Sequence, residues 1–254
     1  MEMTMPLRRV LGAYAAEARF ETLRHLKAPA FVAPFLIIPV ALYLFFTSLG
    51  GDPSQAAKPE LQIPLRMFTG FSIMGVMGPA LFAFGMAVAV DRDFGLLRLK
   101  RALPMPPMAY LLGKMVMSAL FAVAVMLTMS AAATVKGLTL SAGQMLAVAA
   151  IGVVGTLPFA AIGLFIGAKV SGRTAPAWVN LAYIPMTYLS GLFFPVPEAI
   201  RGLALVSPAF HLNQLALQAA GVAAIMPATM HVAALLGVTV LFSGLAAWRV
   251  VRME

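Results

Sequence analysis

The sequence predicts an all-α membrane protein, with six transmembrane helices, an N-terminal amphipathic interfacial helix, and re-entrant helices between spans 5 and 6. Three observations carry this expectation. Of the 254 residues 61% are apolar and 11% charged, whereas a soluble domain is about 25% charged, and the mean hydropathy is +0.93. The apolar residues gather into runs of roughly 20, the length a helix needs to cross a hydrocarbon core. Of the 18 Lys and Arg, all but Lys58, Arg66, Lys136 and Arg201 fall on one side of a six-span arrangement. The positive-inside rule then places both termini in the cytoplasm, in a multi-pass protein of the cytoplasmic membrane.

Composition also removes function classes. With six spans in 254 residues, the chain reads as a single transmembrane domain, and an energy-coupling domain is expected on another chain. There is no cysteine, hence no disulfide, thiolate metal site or cysteine nucleophile. The net charge of +9 sits at span ends, which argues against nucleic acid.

In chain order, Leu7, Val10, Leu11, Tyr14 and Ala18 recur at helical spacing while Arg8, Arg9, Glu17 and Glu21 take other faces. Residues 1–29 are therefore expected to form a helix lying along the membrane surface. The charges Arg8, Arg9, Glu17, Arg19, Glu21, Arg24 and Lys27 leave no uninterrupted apolar core, so a cleavable signal is not expected. Span 1, 31–49, carries Pro34 and Pro39, which should bend it. A Gly-, Pro- and charge-rich loop follows to Arg66. Span 2, 67–90, sets Ser72, Gly75, Pro79, Phe82 and Met86 on one side, a face suited to close approach of another helix. Span 3 covers 115–135, and span 4 covers 142–168 with Pro158, Gly163 and Gly167. Span 5, 176–194, aligns Asn180, Tyr183, Thr187 and Ser190. Four polar groups on one stripe face protein or water rather than lipid: a pathway or subunit interface, or internal helix–helix hydrogen bonds. Segment 195–227 is interrupted by Pro208, His211, Asn213, Gln214 and Gln218. A crossing there would move Arg249 and Arg252 to the basic-poor side, so outer re-entrant helices are expected. The final span is 228–248.

Enzyme chemistry is not written in the chain. Gly113-Lys114 lacks the upstream glycine and the hydroxyl residue of a nucleotide-binding loop. No acid sits mid-span, which disfavours an ion-coupled secondary carrier, the alternative reading. His25, His211 and His231 are far apart in sequence and no ligand cluster surrounds them. The expectation is a membrane protein without its own ATPase site, binding no cofactor or metal directly.

What stands out is the charged island 91–104, where Asp91, Arg92 and Asp93 follow span 2. Phe94, Leu96, Leu97 and Leu99 then alternate with Arg98, Lys100 and Arg101 before Pro104, Pro106 and Pro107. Apolar knobs flanked by charge suit docking into a groove on a soluble protein; the competing reading is a basic loop with no partner.

Asp91-Arg92-Asp93-Phe94-Gly95-Leu96-Leu97, with Leu103-Pro104 and Gly113-Lys114, resembles a stretch found in permease subunits of ABC-2 type transporters. Ser190-Gly191-Leu192-Phe193-Phe194-Pro195, then Pro197, Ser207-Pro208 and His211, is similar to the segment entering that family's outer re-entrant helices. The chain has Leu96, Arg98 and Leu103 where the family often has Thr, Glu and Thr. The resemblance implies a half-transporter that pairs with a second permease copy or a homologous permease. It implies two separate ATP-binding subunits that hold ATP and Mg and dock on a coupling helix comprising Asp91, Arg92, Asp93, Phe94, Gly95, Leu96, Leu97, Arg98, Lys100 and Arg101. It further implies export of an amphiphile, such as a drug-like natural product, lipid or glycan. Ser72, Phe82, Met86, Asn180, Tyr183, Thr187 and Ser190 are the residues expected at the pathway or the permease interface.

Overall fold

A computed structural model of the chain describes residues 6–49, 63–103, 105–106, 108–192, 196–223 and 225–251. Expectations for Lys58 and the rest of 50–62, for Pro104, Pro107, Phe193, Phe194, Pro195 and Arg252, and for the side chain of Arg101 lie outside the described residues.

The elements are α1 (Leu7–Leu26), α2 (Pro29–Leu49), α3 (Ile63–Asp93), α4 (Leu96–Ala102), α5 (Ala109–Val135), α6 (Ala142–Val154), α7 (Thr156–Lys169), α8 (Ala175–Leu189), α9 (Arg201–Ala204), α10 (Pro208–Ala219) and α11 (Ala228–Val251), with a 3₁₀ turn at Glu198–Ile200. No strand occurs among the described residues. Among the described residues four helices are long and apolar enough to cross a membrane: Ile63–Asp93, Ala109–Val135, Ala142–Lys169 taken through its break, and Ala228–Arg249; Ala33–Leu49 is a shorter apolar helix. The chain is a multi-pass helical membrane protein.

The helix α3 is the axis, with 78% of its apolar window buried against 11% for α11. Phe68, Phe71, Ile73, Met77 and Leu81 are fully enclosed by the other helices. Its contact with α7 brings backbone against backbone. A Cβ on Gly163 would stand 2.7 Å from the Leu81 carbonyl oxygen, and one on Gly167 would stand 2.6 Å from that of Phe84. In lipid, where apolar burial drives helices together weakly, such backbone approach is what holds a pair. The closely spaced pair Gly163 and Gly167 is thus consumed inside the chain. The Gly75 side of α3 is met by Pro39 of α2 and Val125 of α5.

Two expected spans differ in detail. Span 4 is divided at Gly155, because Pro158 has no N–H to offer the Val154 carbonyl; the Gly155 N–H bonds back to Ile151 at 2.8 Å. The first half is set by a capping box, in which Ser141 Oγ accepts from the Gln144 N–H (3.2 Å) and Gln144 Oε1 accepts from the Ser141 N–H (3.0 Å). Span 5 is cut short: α8 has 15 residues, about 22 Å, and ends where Gly191 takes φ +76°. Neither α9, with 4 residues, nor α10, with 12, is long enough to cross. Two of the three histidines meet in space: the His211 and His231 Nδ1 atoms lie 2.8 Å from each other, tying α10 to α11, and His211 Nε2–H donates to the Leu205 carbonyl (2.8 Å).

Gly167→Val should force α7 off α3 and lower stability by about 1–3 kcal/mol, read as a drop in thermal midpoint in detergent. Gly237→Ala, where a Cβ meets nothing within 4 Å, should leave the midpoint unchanged or slightly higher.

Candidate functional site

The site is built at the end of α3 where Asp91-Arg92-Asp93 leave the apolar run. The three residues point different ways because a helix turns 100° per residue. Asp91 is fully buried and faces α1 and α5; Arg92 and Asp93 face the turn between α7 and α8.

Around Asp91 the charges are close and matched. Arg24 Nη1 of α1 donates to Asp91 Oδ1 at 3.0 Å, Tyr110 Oη of α5 donates to Oδ2 at 2.8 Å, and Lys114 Nζ lies 3.3 Å from Oδ2. Lys114 also donates to Glu21 Oε2 at 2.9 Å, with both side chains fully enclosed. Lys100 of α4 pairs with Glu17 and stands 3.5 Å from Glu21. The Tyr110 ring is near both ammonium groups, 4.6 Å from Lys100 Nζ and 4.8 Å from Lys114 Nζ, a placement its negative π face favours. Glu17, Glu21 and Asp91 are thus set against Arg24, Lys100 and Lys114, and the hub is neutral as a whole. Gly113 makes room for it: a Cβ there would stand 3.2 Å from the Glu17 carbonyl, so α1 can lie against α5 with its acids over Lys114.

His25 closes the hub. Its Nδ1–H donates to the Glu21 carbonyl (2.9 Å). Burial, with the charges of Lys114 and Arg24, pushes its pKa below the usual histidine value; the bond to Glu21 and the Glu21 carboxylate oppose this without reversing it. Arg24 is held firmly charged: although burial opposes it, the Asp91 carboxylate prevails and raises its pKa.

On the other side Arg92 Nη1 donates to the carbonyls of Gly167 (3.1 Å) and Ala168 (2.8 Å), and Nη2 to that of Val170 (2.7 Å). These are the free carbonyls at the end of α7, where positive charge is favoured. Asp93 Oδ2 accepts from the Gly172 N–H at 2.6 Å. One tripeptide therefore anchors α1, α5 and the α7–α8 turn.

The island divides accordingly. Asp91, Arg92 and Lys100 spend their charge inside the chain, and Leu97 packs against the core. Gly95 and Leu96 are half-buried and Arg98 exposed. Phe94 is 79% exposed, Leu99 64% and Leu103 57%, an apolar surface presented by a seven-residue helix between two spans. The residues expected along the pathway fall in two groups. Ser72, Thr187 and Ser190 are buried and donate to carbonyls of their own helices, Phe68 (2.6 Å), Tyr183 (2.8 Å) and Thr187 (2.6 Å). Tyr183 reaches α3, its Oη donating to the Met74 carbonyl (3.2 Å) and its ring 5.9 Å from that of Phe82. Met86 is half-buried and Asn180 exposed. So internal hydrogen bonding accounts for three of the polar groups on the span 5 stripe, and Asn180 alone lies on the surface.

Sequence reasoning missed Glu17, Glu21, Arg24, His25, Tyr110 and Lys114 as a unit. Two signals were present: Glu17, Glu21 and Arg24 share a helical face, and Lys114 lies in an apolar run that requires a partner for it. Among the described residues no group of three or more His, Asp or Glu could hold a metal.

The fold and hub define a class: a multi-pass helical membrane protein that offers a short, internally braced surface helix between two spans. The chain belongs to the ABC-2 type transporter family, whose model matches residues 14–220. It is 25% identical over 197 residues, 75% of this chain and 78% of the relative, to the Bacillus subtilis (strain 168) protein named "Putative transport permease YvfS". The chain is a permease component of a membrane transporter.

Lys114→Met leaves Glu21 and Asp91 short of a buried cation and should cost about 3–5 kcal/mol. Lys114→Met with Glu21→Gln should recover part of that loss, so a double-mutant cycle on thermal or denaturant stability should show coupling; purely additive losses would contradict a shared environment. Because the folded His25 pKa is depressed, its contribution is complete above the unfolded value of about 6.5 and is lost as pH falls below it. The thermal midpoint should therefore decline more steeply between about pH 6.5 and 5.5 in wild type than in His25→Gln.

Proposed function

We propose that this chain is the permease half of an ATP-driven exporter in the cytoplasmic membrane, with six crossings and both termini in the cytoplasm, moving an amphiphilic substrate. In this reading α2, α3, α5, α6–α7, α8 and α11 cross, and α9–α10 return to the outer side. Separate ATP-binding subunits, which hold ATP and Mg, grip α4. The observation that carries the proposal is the pairing of an exposed apolar tip with an anchored base. Phe94, Leu99 and Leu103 stand out from the surface, while the residues beside them are bonded to α1, α5 and the α7–α8 turn. A basic loop with no partner has no need of either. Movement of a partner on that tip is passed to several helices at once through discrete polar contacts. Asn180 adjoins exposed Trp178, Leu181 and Ile184 on α8, a face we assign to the second permease copy, and the Phe82–Tyr183 contact to the wall of the path between them.

Phe94→Ala and Leu99→Asp should each cut capture of the cognate ATP-binding subunit by roughly 30-fold, the effect of losing about 2 kcal/mol at a buried anchor, while the permease still inserts in the membrane. Wild-type capture by both variants would remove α4 as the docking element.

A further inference from the structure

We propose that the slot between α6–α7, α10 and α11, at the break of span 4, holds one acyl chain of a membrane lipid. The slot has a volume of about 320 Å³ and opens where the helix is interrupted, at Gly155 and Pro158. Val232, Leu235, Leu236 and Thr239 recur at helical spacing along one side of α11. Ala150, Val154 and Pro158 do the same across the break. Leu212 of α10 forms the floor: it is buried, and a Cβ on Gly155 would stand 2.3 Å from its Cδ1.

Contacts between helices mark both ends of the slot. Beside Val232 the His211–His231 contact joins α10 to α11. Further along, Phe165 of α7 meets Phe242 of α11 with ring centroids 5.6 Å apart. On α11 the two contacts are 11 positions apart, about 16 Å along the helix. The long side between them is open, where Val154 is 65% and Leu236 58% exposed. Its walls lie within Ala142–Lys169 and Ala228–Arg249, two of the helices long and apolar enough to cross a membrane, so the opening is continuous with the surface these spans turn to lipid. A polar ligand or a soluble partner is excluded from that depth by the cost of desolvation, and lipid tails are already there.

The lining suits a tail and not a headgroup. Among the described residues Thr239 is the one polar side chain in it, and its Oγ1 is spent on the Leu235 carbonyl at 2.8 Å. An unfilled slot forfeits the dispersion contacts of its walls. The lipid outside is as apolar as those walls, so what a chain gains by entering is fit: in the slot it touches three elements at once, whereas on an open span it touches one. An apolar cavity of about 150 Å³ takes one benzene ring, so this volume takes a chain of about twelve carbons. A helix of a second copy, about 10 Å across, could only bridge the mouth. The site rests on the chain being a multi-pass membrane protein and not on its drive by ATP.

The test is photolabelling of the full chain in phosphatidylcholine vesicles, a small share of whose lipid carries a diazirine on one acyl chain, with adducts located by peptide mass spectrometry. Residues 150–158 and 232–239 should be labelled about fivefold more than Leu127 of α5, the ratio that a preference of about 1 kcal/mol gives. Leu127, 67% exposed, matches Val154 in exposure. Ala150→Phe fills the slot with hydrocarbon of its own and should bring labelling there down to the Leu127 level, with the thermal midpoint unchanged or higher. Val232→Phe, on the α11 wall, should do the same where Ala150→Phe folds poorly. Labelling no higher in the wild-type slot than at Leu127, whether because lipid touches every span alike or because a second copy covers the mouth, would overturn the site. Wild-type labelling in both variants would overturn it as well.

Discussion

Lys114 sits between Glu21 and Asp91 in a place no solvent reaches, and most of the architecture at that end of the bundle depends on its being satisfied there. Removing one ammonium and two carboxylates from water costs several kcal/mol per ion, which is recovered only if geometry and further hydrogen bonds are good. The chain meets that condition by bringing four helices to one point: α1 gives Glu17, Glu21 and Arg24, α3 gives Asp91, α4 gives Lys100, and α5 gives Tyr110 with Lys114. A neutral cluster of this kind contributes little net stability by itself, but it tolerates few alternative arrangements. A slip of α1 by one residue would carry its acids off the cations, so the cluster sets register where apolar packing alone would not.

The same end of α3 connects a surface helix to the bundle in two directions. Asp91 works toward α1 and α5, and Arg92 and Asp93 work toward the end of α7. The Gly163 and Gly167 contacts then carry α7 along α3 for two further turns at backbone distance. Short polar bonds at the base and close backbone packing above it join α3, α7 and the base of α4 into one packed unit.

Much of this was legible in the residues. Apolar run lengths pointed to the long helices, and the island between α3 and α5 was visible as charge between apolar runs. The division of that island was not. Charge and hydropathy cannot tell an aspartate facing water from one facing Lys114 when both end the same span, so Asp91 and Asp93 read alike although one is buried and the other exposed. Likewise Thr187 and Ser190 read as a polar stripe because the sequence does not reveal that each hydroxyl is taken up by the carbonyl one turn back. His211 and His231 read as unrelated because their meeting depends on how α10 folds back on α11. Helix lengths failed where a single residue intervened, at Gly191 and at Pro158.

The interruption at Gly155 gives this bundle unequal halves. Below it α7 is clamped to α3 and to Arg92; above it α6 is tied instead to the far end of α10, through Gln144 Nε2 and the Ala220 carbonyl (3.1 Å). A pivot placed there would let α6 tilt together with α10 while α7 keeps its grip on α3, so that one end of the bundle could change shape without loosening the other.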